Sequence, residues 1–390
     1  MKTYEYYQPE YVKNFQCDGQ KCSAHCCKNC NVIIDKKIYK KYSHQKPKSA
    51  AKELTRPLKK INEDSYKINL NENSNCPFLT EDNLCSIQKK YGEDFVPQRC
   101  LNYPRRTWFF NYFLECSLTL ACPVAAEQIL LPTEPMKFEK FEVAEDFLKN
   151  SARIQIDTTL LSPSFFDKLI PLQETAIKIL QERALTIDQR LLILELYFDK
   201  LEELLGDEKF DESAKVNSVY SNVEFFKEQV AQISSVLNFD VTNHLTIILE
   251  ILKTESDKNL FEKIVEALGD TSELISKYIS LADERQKFLQ KFSTVFENYL
   301  VNEFFFNFYP FRFYEGITQN YNCFLITYKL IELVTFSMSL EKEYSAKDLV
   351  SAINLCVNSL EDNSDYTKRI LEYLKTQKDP VEIMHNMLQL

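Results

Sequence analysis

The chain has 390 residues, of which 27% are charged and 45% hydrophobic, and its formal net charge is −10. This length supplies one large or two ordinary domains with real cores, so folding does not require a framework of disulfides. The N-terminus lacks the pattern of a signal peptide, and Lys329 and Glu332 interrupt the most apolar run, residues 324–336. We therefore predict a cytoplasmic protein, in which a count of twelve cysteines favours metal or redox chemistry over a disulfide framework.

The charge is divided unevenly along the chain. Residues 1–130 carry 20 Lys and Arg against 14 Asp and Glu, whereas residues 131–390 carry 27 against 43. A positive front part would keep thiolates ionised, although a solvated basic face explains the same numbers equally well. No basic stripe interleaved with aromatic residues is present, so we expect no nucleic-acid partner. The five glycines do not cluster behind a strand, which excludes a Rossmann-type cofactor loop.

The front part predicts short elements separated by cysteine-containing loops. Residues 4–15 are expected to be extended or loosely helical, and residues 32–35 form a short strand or a first helical turn. Basic residues over 35–42 indicate a helix, and a second helix is predicted over 49–60. The alternation in residues 66–70 is typical of a short strand.

The first cysteine segment covers residues 17–30 and contains Cys17, Cys22, Cys26, Cys27 and Cys30. Its neighbours are mostly polar, which argues against simple packing of thiols in a core. Soft thiolates select zinc, copper(I) or iron-sulfur clusters. Adjacent cysteines are awkward for one tetrahedral zinc site but suit a cluster, so we favour iron-sulfur. His25, in the same segment, is either a ligand or a hydrogen-bond donor to a sulfur.

The second cysteine set lies in turn-like or proline-flanked sequence and comprises Cys76, Cys85, Cys100, Cys116 and Cys122. Arg105, Arg106 and Trp108 follow the third of these, and the arginines either bind an anion or neutralise nearby thiolates. The spacing Cys22-x3-Cys26 also begins the radical S-adenosylmethionine signature. Asn29 stands where its third cysteine belongs, and no alternating strand and helix pattern follows, so we do not favour that class.

Beyond a boundary at residues 131–136 the sequence becomes helical. Apolar residues over 191–205 recur at spacings of three and four residues, and Gly206 stands where this helix is expected to end. Further along, Ser345 and Asp348 indicate the N-terminal cap of another helix. Cys323 and Cys356 lie in apolar stripes and are predicted core residues. The aromatic run 303–310 exceeds one helix face, so some rings could line a groove, although an ordinary core is favoured.

These patterns predict a mainly α protein. Residues 1–130 form a small irregular cysteine-rich metal-binding domain with little β, and residues 131–390 form an all-α helical domain.

The cysteine motifs resemble those of the flagellin lysine-N-methylase family. They read Cys17-x4-Cys22-x3-Cys26-Cys27, Cys76-Pro-Phe-Leu, Leu84-Cys85-Ser-Ile, Cys100-Leu-Asn-Tyr-Pro-Arg and Cys122-Pro. The front part is also similar to a group of small zinc- or iron-chelating cysteine-cluster proteins. Residues 303–311 resemble a C-terminal aromatic motif of the methylases, so the likeness spans most of the chain.

The resemblance implies S-adenosylmethionine-dependent methylation of lysines on flagellin in the cytoplasm, with an iron-sulfur cluster, or zinc as the alternative, at the cysteines. The thiols of the family fall on Cys17, Cys22, Cys26, Cys27, Cys76, Cys85, Cys100 and Cys122. Cys30 stands where relatives carry tryptophan, and Cys116 has no counterpart. The catalytic and S-adenosylmethionine-binding residues stay unassigned.

Two other functions remain open at this point: a non-catalytic metal-binding or redox-sensing protein, and an interaction scaffold with structural zinc. A methylase must deprotonate a lysine whose ordinary pKa is about 10.4, which requires an oxygen acceptor such as Tyr or Asp. The 21 tyrosines supply candidates without selecting one. No membrane partner is expected.

Overall fold

The structure, a computed structural model, describes residues 2–19, 22, 26–27, 32–110, 113–145, 147, 154–155, 163–207, 209–222, 226, 249, 258–269, 271–312, 316–361 and 364–376. The chain divides into two compact units. Unit 1 comprises Met1–Ala125 and Lys137–Asp157, and unit 2 comprises Ala126–Met136 and Thr158–Leu390. The predicted domain limits at 130 and 131 stay a prediction.

Unit 1 contains two sheets. Their strands are β1 (Thr3–Pro9), β2 (Ile33–Asp35), β3 (Leu58–Lys60), β4 (Ser65–Ile68), β5 (Arg105–Phe109), β6 (Phe113–Leu118), β7 (Phe138–Ala144) and β8 (Ile154–Gln155). The larger sheet has the order β7-β1-β6-β5-β8, and the smaller has the order β2-β4-β3. Strand β1 runs parallel to β6 and antiparallel to β7, and β5 pairs antiparallel with β6.

The sequence prediction of little β in this part was therefore wrong. The six residues of the central strand β6 are all buried. A strand buried on both faces lacks the alternation of apolar and polar residues from which strands are predicted. The short strands predicted near residues 32–35 and 66–70 were found as β2 and β4.

The helices that begin in unit 1 are short: α1 (Tyr11–Asn14), α2 (Lys36–Ser43), α3 (Lys48–Thr55), α4 (Ser86–Tyr91), α5 (Gln98–Asn102) and α6 (Pro123–Leu130). The basic helix α2 was predicted, and the Asp35 carboxylate caps it by accepting the Ile38 N–H at 2.7 Å. Helix α3 ends before Pro57, which has no N–H to donate, and residues 58–60 continue as β3 instead of the predicted helix.

A small core joins the smaller sheet to these helices. It contains Ile34 from β2, Ile68 from β4, Tyr42 from α2, Leu54 from α3 and Cys76. The Tyr42 hydroxyl donates to the Phe95 carbonyl at 2.6 Å, so this fully buried ring keeps its polar end paired.

The described elements of unit 2 are all helices, joined by turns and loops. The prediction of an all-α domain over residues 131–390 was nevertheless wrong at its start, because Phe138–Ala144 and Ile154–Gln155 form β7 and β8 in the larger sheet of unit 1. After α6 the helices of unit 2 are α7 (Pro163–Leu180), α8 (Ile187–Gly206), α9 (Ser213–Tyr220), α10 (Lys258–Leu268), α11 (Thr271–Ser280), α12 (Ala282–Lys291), α13 (Ser293–Phe306), α14 (Ile317–Ser339), α15 (Ala346–Glu361) and α16 (Ser364–Thr376). The predicted cap of α15 is present, because the Ser345 hydroxyl accepts the Asp348 N–H at 3.2 Å. In the described part of the chain, no helix combines the length and the apolar character that crossing a membrane requires.

Helix α13 explains the aromatic run. Every residue from Val295 to Phe306 is buried, so the helix packs on all sides. Aromatic rings on several faces of one helix are then ordinary core, which confirms the favoured interpretation. Cys323 and Cys356 are also buried, as predicted.

A charged network lies inside unit 2. The Glu332 carboxylate accepts from Arg285 at 3.0 Å and from Lys329 at 3.1 Å, and Lys329 also donates to Asp188 at 2.9 Å. Burial alone would raise the pKa of Glu332, but the two cations outweigh burial and hold its pKa below the ordinary value of 4.5. The carboxylate is therefore ionised at neutral pH and, together with Asp188, balances the charges of buried Lys329 and partly buried Arg285.

Replacing Glu332 with Gln should lower the free energy of unfolding by about 3–5 kcal/mol at pH 7, since Lys329 and Arg285 would lose their buried countercharge. Urea unfolding measures this difference. Because the pKa of Glu332 is depressed, the wild-type advantage is complete above pH 4.5 and is lost as the pH falls through the folded-state pKa. The control Glu203→Gln breaks the exposed pair with Lys200 and should cost less than about 1 kcal/mol. Equal losses in both variants would contradict the assigned role of Glu332.

Candidate cysteine centre

The eight thiols on which the family motif falls line one cavity of about 360 Å³ in unit 1. They are Cys17, Cys22, Cys26, Cys27, Cys76, Cys85, Cys100 and Cys122. These residues are spread over more than a hundred positions of sequence, so the fold brings them together. The eleven cysteines in the described part of the chain are all reduced.

Turns position the first cysteine segment. Gly19 has φ of +53°, a left-handed conformation that favours glycine, and its carbonyl accepts the Cys22 N–H at 3.2 Å. The Gly19 N–H in turn donates to the Cys17 sulfur at 3.4 Å. Further along, the Cys27 carbonyl accepts the Cys76 N–H at 2.7 Å, and this bond attaches the first segment to the second.

The second set is held by helix starts and by the small core. Cys76 is itself a member of that core, and Cys85 immediately precedes α4 and forms a β-bridge with Leu79. Cys100 lies within α5, which begins after Pro97. Cys122 directly precedes α6, and its sulfur interacts with the N–H groups of the first turn of that helix. Each of these four cysteines is therefore positioned by the core, by a β-bridge or by a neighbouring helix.

The thiols share protons and repel one another as thiolates. The Cys27 thiol donates to the Cys26 sulfur, and this hydrogen bond lowers the pKa of Cys26 to about 7. The same bond and a second to Cys76 raise the pKa of Cys27 above the ordinary thiol range. Burial, with added repulsion from Cys76 and Cys85, raises the pKa of Cys100 to about 12.

Cys122 belongs to a second group of thiols. Burial raises its pKa to about 11, and the nearby thiols that contribute are Cys22 and Cys17. The cavity thus contains one group formed by Cys26, Cys27, Cys76, Cys85 and Cys100, and another formed by Cys17, Cys22 and Cys122.

The remaining predicted residues lie elsewhere. Cys116 is buried in β6, where its sulfur interacts with Tyr6 and Thr107, and it does not line the cavity. Cys30 and His25 lie outside the described residues. Across the described ranges, no group of three or more His, Cys, Asp or Glu side chains is arranged tightly enough to hold a metal ion. Among the residues that the structure describes, the fold therefore gathers the thiols around one cavity without closing them into a coordination sphere.

Two of the polar residues that line the cavity, Asn83 and Glu93, were missed by the sequence analysis. Tyr103 also lines the cavity, and its only sequence signal was its place inside the Cys100 motif. Of the two arginines considered from sequence, Arg105 is the one that lines the thiol cavity. Its guanidinium lies 5.3 Å from the Phe15 ring centre, whereas that of Arg106 lies 6.0 Å from the Trp108 ring.

Comparison with known proteins places these features in context. Residues 173–390, more than half of the chain, match the family described as the FliB lysine N-methylase C-terminal domain. The flagellar biosynthetic protein FliU of Salmonella muenchen is 35% identical over 140 residues, which cover 35% of this chain and 83% of the relative. A lysine-N-methylase of Salmonella choleraesuis is 24% identical over 411 residues, which cover 99% of both chains. A lysine-N-methylase of Salmonella typhimurium is 34% identical over 152 residues, 38% of each chain. No solved structure matches the chain.

Alkylation of the reduced, metal-free protein should reveal the effect of the hydrogen bond that the Cys27 thiol donates to the Cys26 sulfur. Iodoacetamide at pH 7 should modify Cys26 about a hundredfold faster than Cys100, since far more of Cys26 is thiolate and its lower intrinsic nucleophilicity offsets only part of that advantage. The Cys26 rate should level off above about pH 7, and buried Cys116 should stay unmodified as the control. Mass spectrometry of peptides measures each rate. Similar rates at Cys26 and Cys100 would contradict the assignment.

Proposed function

The chain belongs to the family of FliB lysine N-methylases and is a protein-lysine N-methyltransferase, and we propose that it methylates lysines of flagellin with S-adenosylmethionine. The relative from Salmonella muenchen carries a flagellar biosynthetic name, which supports flagellin as the substrate. S-adenosylmethionine is the donor that the family resemblance implies. We place the reaction in the cytoplasm, before flagellin is exported.

The observation that carries the site assignment is the convergence of eight thiols on one cavity. We propose that these residues hold an iron-sulfur cluster, with zinc as the alternative metal. Soft thiolates are the ligands that both metals prefer. The raised pKa values of Cys27, Cys100 and Cys122 also fit, because they describe crowded thiols that a metal cation would convert to thiolates. When bound, a cluster supplies one-electron redox chemistry and cross-links the loops that carry its ligands.

Methyl transfer sets further demands on the cavity. The lysine amine must first lose a proton to an acceptor. Its nitrogen lone pair then forms the new N–C bond as the C–S bond of the sulfonium breaks, and the thioether S-adenosylhomocysteine leaves. We propose Glu93 and Tyr103 as the proton acceptors, because both residues line the thiol cavity and both side chains carry oxygen atoms.

Metal analysis tests the thiol assignment. After anaerobic purification, wild-type protein should contain iron and sulfide and show a brown charge-transfer spectrum, and Cys76→Ser should lose most of the iron because it lacks one thiolate. Cys116→Ser is the matched control, since Cys116 is also buried but does not line the cavity. If the protein contains zinc in place of iron, zinc is the metal of this site. If the two variants contain equal amounts of metal, the thiol cavity is not the metal site.

Methyl transfer itself is measured with labelled S-adenosylmethionine and purified flagellin. Label should appear on flagellin lysines and should be absent when those lysines are acetylated beforehand. Removing the proton acceptor should lower kcat about 100-fold, so Glu93→Gln or Tyr103→Phe should show this loss. The control Glu63→Gln changes an exposed carboxylate outside the cavity lining and should leave kcat unchanged. If flagellin acquires no label although the metal centre is intact, the proposed activity is overturned.

A further inference from the structure

The outer face of the smaller sheet carries exposed cations beside exposed apolar side chains. Ile33 of β2 lies opposite Lys67 of β4, and Lys67 lies opposite Lys59 of β3. These three residues share one face of the sheet, because residues directly opposite one another in paired strands point the same way. Ile33 is 47% exposed, and Ile61, just after β3, is 52% exposed. We call Ile33, Lys59, Ile61 and Lys67 the basic face.

Fold stability alone does not favour this arrangement. Like charges directly opposite one another in antiparallel strands destabilise a sheet. The nearby carboxylates are engaged elsewhere, since Asp35 caps α2 and Asp64 pairs with Lys36 at 3.1 Å. Glu63 lies exposed in the turn between β3 and β4. Among the described residues, neither Lys59 nor Lys67 forms an ion pair, so both cations remain available at the surface.

A cavity of about 250 Å³ adjoins the basic face at strand β2, which is an edge strand. Its lining residues include Ile33, Asp35, Pro97 and Arg99, and the Asp35 carboxylate there accepts the Ile38 N–H as the cap of α2. Arg99 is exposed and adds a third cation at this place. Pro97 also lines the thiol cavity, so the two cavities are neighbours within unit 1.

We propose that the basic face and its cavity dock an acidic segment of the protein substrate, one that carries carboxylates on both sides of an apolar side chain. This inference rests on the proposed function, because it supposes a protein as the methyl acceptor. The carboxylates contact Lys59, Lys67 and Arg99, and the apolar side chain enters the cavity beside Ile33. Charged groups at the rim and an apolar centre are the usual composition of a protein interface.

The same residues do not suit a nucleic acid or a lipid surface. A phosphate backbone is bound by an extended stripe of cations, whereas this face interposes two exposed isoleucines between few charges. The chain as a whole carries a net charge of −10, which opposes the approach of a long polyanion. A short acidic peptide segment meets the local cations without that long-range repulsion.

Binding of a short poly(Glu,Tyr) copolymer, with the length of a peptide segment, to the full-length protein tests the surface directly. The double reversal Lys59→Glu with Lys67→Glu should weaken binding about tenfold, and added salt should reduce the difference. The matched control is Lys48→Glu with Lys52→Glu on α3, which packs Leu54 into the core on the other side of the sheet. A single Lys67→Glu creates an attractive pair with Lys59, so it should bind more weakly while folding at least as stably.

Methylation kinetics provide the second readout. The double reversal should raise the KM for flagellin about tenfold and leave kcat unchanged, because docking lies outside the chemical step. The proposal is overturned if both double variants bind the copolymer alike, or if duplex DNA or phosphatidylglycerol vesicles bind more tightly through the same two lysines. If wild-type protein binds the copolymer as expected but transfers no methyl group to flagellin, the proposed function fails and the docking surface stands.

Discussion

One backbone hydrogen bond organises the candidate site: the Cys76 N–H donates to the Cys27 carbonyl at 2.7 Å. Cys76 belongs to the small core beneath the three-stranded sheet, so this bond attaches the first cysteine segment to packed structure. Short turns alone would leave such a segment many conformations, whereas a core contact fixes its end. The thiols of distant segments can share one cavity because the core holds the loops that carry them.

The thiols that line the cavity could be predicted from sequence, but their arrangement could not. The family resemblance selected eight thiols and left Cys116 without a counterpart, and in the structure these eight line one cavity whereas Cys116 lies in β6. Metal binding stays a prediction, which rests on the local chemistry of thiols among polar residues. The division between the groups of Cys26 and Cys122 depends on loop paths that no periodicity encodes.

Burial explains one of the parts of the fold that were mispredicted. Strand β6 is buried at every residue, so it lacks the alternation of apolar and polar residues from which strands are predicted. Strand β7 was mispredicted for another reason: it has several exposed residues, and its pairing with β1 joins segments that are far apart in sequence. Amphipathic helices such as α2, and helices with clear caps such as α15, were found where the pattern placed them.

The short helix α5 connects recognition with chemistry in the proposed mechanism. Arg99 and Cys100 are neighbours in it, yet the first lines the cavity at the basic face and the second lines the thiol cavity. Pro97, at its start, lines both cavities. One helix of five residues therefore contributes to the walls of both cavities. A protein segment docked at Arg99 would thus be held one residue away from Cys100, so recognition and the thiol cavity meet at α5 without a change of conformation.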